Sequence, residues 1–198
     1  VQFYNDETDL LRVAPNHYPG QNYWYFVNPE QAKPKVLLQV PPKGIPAWAF
    51  YQVEDLKQLK DFVEWYIDKR QIENGEFGGG LSDDCDLTNY WPGLAAMGSN
   101  PDKIKRSLQS ELEGIYNNGM FTNGLPTIQT DGLHTYEEGM NVQAQVMGVD
   151  FGNPKIAERM METVRGLKEK VIAKNKAGHY HFRSSFWGAN KIADEGVW

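Results

Sequence analysis

The sequence predicts a mainly α-helical protein, built of helical hairpins and preceded by an irregular, partly extended N-terminal arm. Three observations carry this. Apolar residues recur at three- and four-residue steps over long stretches after residue 52. Gly and Asn-Pro pairs punctuate those stretches at helix-boundary positions. Seven of the eleven prolines fall in the first 50 residues, where long helices are therefore not expected.

The arm is set at residues 1–52 and the helical part at 53–198. Within the arm, Tyr23–Val27 and Lys35–Val40 read as short extended pieces. His17, Tyr18, Tyr23, Trp24 and Trp48 make it aromatic.

The first helix spans Val53–Ile72, with Leu56, Leu59, Phe62, Val63 and Tyr66 on one side and Asn74-Gly75 as its stop. The second spans Asp84–Met97, closed by Gly98, with Pro92 kinking or splitting it. The third opens at Asn100-Pro101, Asn as cap and Pro in the first turn. Its stripe is Ile104, Leu108, Leu112 and Ile115, and Asn117-Asn118-Gly119 ends it. Phe121–Asp131 is a loop. A fourth helix covers Thr135–Met147. The fifth opens at Asn153-Pro154 and runs to about Lys174, burying Ile156, Met160, Val164, Leu167 and Val171. Its Lys155, Arg159, Lys168 and Lys170 form a solvated basic face. A sixth starts near Phe186. Met97-Gly98 and Met147-Gly148 are each followed by Asn-Pro and a long amphipathic helix. A hairpin repeated in this way marks a stacked or circular helical array, with short helices inside and long ones outside.

Three clusters carry chemistry. Gly78-Gly79-Gly80 leads into Ser82, Asp83, Asp84 and Asp86. One such residue is enough to cap a helix start, so the surplus of carboxylate marks a site. In the second cluster, a helix starting near Thr135 puts His134, Glu138 and Asn141 on one face, with Tyr136 and Glu137 beside them. Thr135 and Glu138 also form a capping box, which explains Glu138 without a functional role. In the third, His179, His181 and Arg183 alternate as in an extended strand, with Trp187 following.

The GGGLSDD and HTYEEGMN motifs lie before short inner helices. With the hairpin pattern, they resemble the (α/α) toroid fold of polysaccharide lyases and six-hairpin glycoside hydrolases over residues 53–198. Two and a half hairpins do not close a ring, so an incomplete toroid is expected. The resemblance implies a cleft at the N-terminal ends of the inner helices, acting on a polysaccharide or oligosaccharide. For β-elimination on a uronate it implies Tyr136 or His134 as base and acid, with Asn89, Asn141 and Arg183 on the substrate carboxylate. Arg183 is also the charge that lowers the pKa of Tyr136. His181, Trp187, Glu138 and Asp83 complete the binding set. For glycoside hydrolysis it implies Asp84 paired with Glu137 or Glu138. A non-catalytic glycan-binding helical module is the third reading.

The length suffices for one domain with a real core. A net charge of −6 without a basic stripe argues against a nucleic-acid groove. The apolar runs are too short for a membrane span. The single cysteine, Cys85, allows no intrachain disulfide and reads as a small buried residue. No zinc or phosphate-loop motif is present. No cofactor is expected, and calcium on Asp83, Asp84 and Asp86 has only a weak basis. The absence of an initiator Met suggests a processed product or a piece of a longer chain, from a secreted or periplasmic protein.

Overall fold

The computed structural model describes residues 2–31, 39–81, 83–128, 134–135, 137–184 and 187–190. The protein is mainly helical and divides into two compact units, Val1–Ala47 and Trp48–Trp198.

The first unit corrects the expectation of an irregular arm. Among its described residues are two α-helices, α1 (Gln2–Val13) and α2 (Tyr18–Val27), and a short 3-10 turn at Pro29–Gln31. Pro15 and Pro19 stand at the helix boundaries, not in the helix interiors. Pro15 is in the connecting turn, and Pro19 lies in the first turn of α2, where a missing N–H costs nothing. The His17 ring caps α2 by accepting from the Gly20 N–H at 3.1 Å. Gly20 lets the two helices cross closely, since a Cβ there would meet Leu10 and His17. Phe3 packs on Tyr23 and Tyr4 on Trp24. Tyr23–Val27 is thus helical, not extended. Most of the expected strand Lys35–Val40 lies outside the described residues; Gln39 and Val40 have no regular structure.

In the second unit α3 (Ala47–Lys69) starts directly after Pro46, six residues ahead of the expected start. Pro92 splits the next expected helix, as anticipated, into α4 (Asp84–Thr88) and α5 (Trp91–Ala96). α6 (Pro101–Asn117) has the expected bounds. Asn100 does not cap it by side chain, however. It takes a left-handed backbone (φ 45°) and its amide donates to Glu64. The loop that follows contains a minimal hairpin, β1 (Phe121–Thr122) with β2 (Leu125–Pro126).

The fourth expected helix is in two parts, a π-helical turn at Glu137–Asn141 and α7 (Val142–Val149). Gly148 therefore lies inside α7 and stops nothing, whereas Gly98 is a left-handed turn residue (φ 87°). The two Met-Gly pairs are not equivalent in structure. Asn153 does cap α8 (Pro154–Gly166), accepting from Lys155 N–H at 3.0 Å. The expected fifth helix then loosens into a π turn at Leu167–Val171 and ends early. Ile172–Lys174 is strand β3, paired antiparallel with β4 (Tyr180–Phe182). The expected sixth helix falls mostly outside the described residues, and Trp187–Asn190 is not helical.

The core of this unit joins α3 through Val63, the α4–α5 segment through Cys85, Trp91 and Leu94, and α7 through Val142 and Val146. The α6 stripe Ile104, Leu108, Leu112 and Ile115 lies among them. All four stripe residues are buried, and truncating Leu108 or Leu112 to Ala removes about 2–5 kcal/mol. Outside the core, Glu113 binds Arg159 bidentately (2.8 and 3.1 Å) and Lys155 at 2.7 Å. Those two cations, expected to be solvated, instead tie α8 to α6. Burial would raise the Glu113 pKa, but the Arg159 and Lys155 hydrogen bonds and charges outweigh it and hold it low.

Candidate active site

The glycine-rich loop is pressed onto α6. Gly75 has φ 92°, and a Cβ there would strike the backbone of Ser110 and Glu111. A Cβ on Gly114 would strike the carbonyl of Asn74 from the other side. Two glycines thus allow backbone to lie on backbone. Gln71 fastens the arrangement. Its amide donates to the carbonyls of Gly75 and Ser107, both at 3.0 Å, and its oxygen accepts from the Ser107 hydroxyl at 2.8 Å.

Asp84 holds the other end of the loop. Its Oδ2 accepts from the Phe77 N–H at 2.7 Å and its Oδ1 from the Gly79 N–H at 3.0 Å. The surplus of acids is therefore not helix capping. Asp83, in the cap position, makes no side-chain cap bond and is exposed. Ser82 lies outside the described residues. Asp84 is only 3% exposed. Burial raises its pKa, the loop N–H groups oppose this, and the charge of Glu76 adds to it. Replacing Asp84 by Asn keeps one acceptor and turns an NH2 toward a donor. The expected cost is about 1.5–3 kcal/mol, read as a lower urea midpoint at unchanged slope.

Next to Asp84 stands a residue the sequence reading missed. Glu111 is fully buried on α6, and neither carboxyl oxygen has a hydrogen-bond partner among the described residues. Burial first, and the Asp84 charge second, push its pKa up to about 8. The Thr88 hydroxyl favours the ionised form but donates in proper geometry to the Cys85 carbonyl, at 3.3 Å. The Asp84 charge adds to burial in holding the proton on Glu111. At neutral pH Glu111 is uncharged. The signal was present, because position 111 lies three after Leu108 and four before Ile115, on the core stripe.

The α4 segment packs against the second cluster. The Asn141 amide donates to the Cys85 sulfur at 4.0 Å, and the Gln145 amide to the Cys85 carbonyl at 3.4 Å and the Asn89 side-chain oxygen at 3.1 Å. Burial pushes the Cys85 thiol up to about 12. The Asn141 amide opposes this, and the charges of Asp86, Glu137 and Glu111 reinforce it. Cys85 is therefore a protonated packing residue and not a nucleophile. His134 and Glu137 are half-buried and Thr135 is fully buried. The π turn, whose hydrogen bonds skip five residues, breaks the helical spacing expected between His134 and Asn141. Tyr136 and the side chain of Glu138 lie outside the described residues.

Of the sequence-derived residues, the structure thus gathers Asp84, Asn89, Glu137 and Asn141 around Cys85. His181, Arg183 and Trp187 are on or beside the β3–β4 ribbon. The Arg183 N–H donates to Val171 at 2.9 Å, and the Trp187 indole donates to Ser184 at 3.2 Å and stacks on Phe182. His179 and His181 share a ribbon face, their rings 6.5 Å apart. Among the described residues no group of three or more His, Cys, Asp or Glu is placed to hold a metal. Asp84 turns both oxygens to the N–H groups of the loop. No helix among them is long and apolar enough to cross a membrane. A cavity of about 300 Å³ lies between the glycine loop and the C-terminal half of α6, lined by Asn74, Ser110, Glu113 and Asn117 among others. It contains none of the gathered residues, and its Glu113 is already neutralised by Arg159 and Lys155. Comparison with known proteins finds no matching family model, no matching curated protein and no matching solved structure.

Proposed function

We propose that this chain is part of a secreted or periplasmic enzyme that cleaves a uronate-containing polysaccharide by β-elimination. The observation that carries the reading is the packing of α4 against the 137–141 turn. The Asn141 amide donates to the Cys85 sulfur and the Asn89 side-chain oxygen accepts from Gln145, so both asparagines take part in this contact, with Glu137 in the same turn as Asn141. Two side-chain amides can hold a substrate carboxylate and favour loss of the neighbouring proton. In the proposed step Tyr136 takes the C5 proton. The C5–H electrons form the C4=C5 double bond, the C4–O bond breaks, and His134 returns a proton to the leaving oxygen.

Hydrolysis by two carboxylates has less support. Asp84 is buried with both oxygens bound to the loop, so it is unsuited to attack a sugar or activate water. Its part here is to position the loop. The test is a panel of acidic and neutral glycans followed by two readouts, ultraviolet absorbance of the new double bond and appearance of reducing ends. The expected result is both signals on an acidic glycan, with both lost in Tyr136→Phe. Reducing ends without absorbance would make the enzyme a hydrolase, and neither signal on any glycan would leave a binding module.

A further inference from the structure

The β3–β4 ribbon, with the end of α8 and the π turn that lead into it, is rich in Lys and Arg. Between residues 165 and 183 there are six Lys or Arg and one Glu, in a protein of net charge −6. A charge count over the whole chain hides this basic island. The ribbon's register sorts its side chains by face. Lys174 is opposite Tyr180 and Ile172 opposite Phe182, while Ala173 is opposite His181. Directly opposed residues share a face and alternate ones do not. One face therefore carries Tyr180, Phe182 and Lys174, and the other carries the two histidines. Tyr180 is 71% exposed and Phe182 is 55% exposed. The Lys174 ammonium lies 4.9 Å from the centre of the Tyr180 ring, and Trp187 stacks on Phe182 at 5.5 Å.

We infer that this face is a binding platform for an acidic polysaccharide. Exposed rings two residues apart along a strand offer flat apolar surface to the C–H faces of successive sugars. Lysine beside them supplies the counter-charge for a carboxylate. One cation beside two exposed rings fits a chain that is both apolar and anionic, and the acidic remainder of the protein repels a polyanion from elsewhere. The platform is distinct from the α4 and 137–141 residues. It shares the glycan reading with them but does not depend on cleavage.

The test is titration of the full chain with polygalacturonate oligomers, with neutral dextran oligomers and oligothymidylate as comparisons. The double variant Lys174→Ala/Tyr180→Ala and the single Phe182→Ala are measured beside it, with thermal unfolding to confirm the fold. Polygalacturonate is expected to bind, dextran weakly or not at all, and added salt to weaken binding. The double variant is expected to lose about tenfold in affinity and Phe182→Ala severalfold. Equal affinity for dextran, tighter binding of oligothymidylate, or unchanged affinity in both variants would overturn the inference. Ribbon-dependent binding without unsaturated product keeps the platform and sinks the lyase reading. Unsaturated product with binding indifferent to these substitutions does the reverse.

Discussion

Replacing Glu111 by Gln is expected to stabilise the protein above pH 8 and to flatten its stability profile between pH 5 and 9. An unfolded glutamate releases its proton near pH 4.3, whereas the buried one holds it to about 8. Between those values the folded state carries a proton that the unfolded chain has lost. Stability therefore falls as pH rises, by up to about 1.4 kcal/mol per unit. Below about pH 4 both states are protonated and the penalty vanishes. Above about 8 both are ionised and the penalty is complete, on the order of 5 kcal/mol. The glutamine amide has no proton to lose. Asp84, whose pKa is also raised, leaves a slope of the same sign in the variant. Urea denaturation of both proteins at pH 5, 7 and 9 reads this directly. Parallel profiles would mean that Glu111 is solvated or ion-paired in the folded state.

Gly75→Ala is expected to cost about 3 kcal/mol or more and to abolish any activity of the α4 rim. Two effects add. The residue has φ 92°, which is unfavourable for alanine by about 1–2 kcal/mol. The new methyl also meets the backbone of Ser110 and Glu111, which cannot rotate away as a side chain can. The loop would have to lift from α6, and Asp84, bonded to Phe77 and Gly79, would shift with it. Gly119→Ala is the control. It has a similar backbone (φ 73°) with nothing within 4 Å of the added carbon, so only the conformational cost of about 1–2 kcal/mol is expected. Equal losses in the two variants would show that the close approach at Gly75 contributes nothing.

The helices that pack one stripe into a core were legible, because burial of every third or fourth residue leaves a period in the sequence. Ile104, Leu108, Leu112 and Ile115 gave α6 correctly, and Pro92 marked the break between α4 and α5. Residues 1–31 were misread because prolines were weighed by number instead of position; those at 15 and 19 border helices. The π turn at Glu137–Asn141 leaves no period, since its extra residue per turn is imposed by tertiary packing. Ile172–Lys174 continues the apolar stripe of α8 and so read as helix, although its partner strand Tyr180–Phe182 was recognised from its alternation. The run of aspartates exceeds what a helix cap needs, and the structure gives Asp84 another task. Asp84 serves the loop before it and not the helix after it. Glu111 is hard to read from sequence because it is a charged residue in an otherwise apolar stripe; burial first and the Asp84 charge second keep it protonated there.

In the proposed lyase, α4 and the 137–141 turn act as one site on one substrate carboxylate. A double-mutant cycle on kcat/KM for uronate elimination, using Asn89→Ala and Asn141→Ala, tests it most directly. Groups that hold the same carboxylate are coupled, so the double variant should lose little more than the worse single one, a coupling of about 0.5–3 kcal/mol. Losses that simply multiply, or a parent protein that forms no unsaturated product, would contradict it.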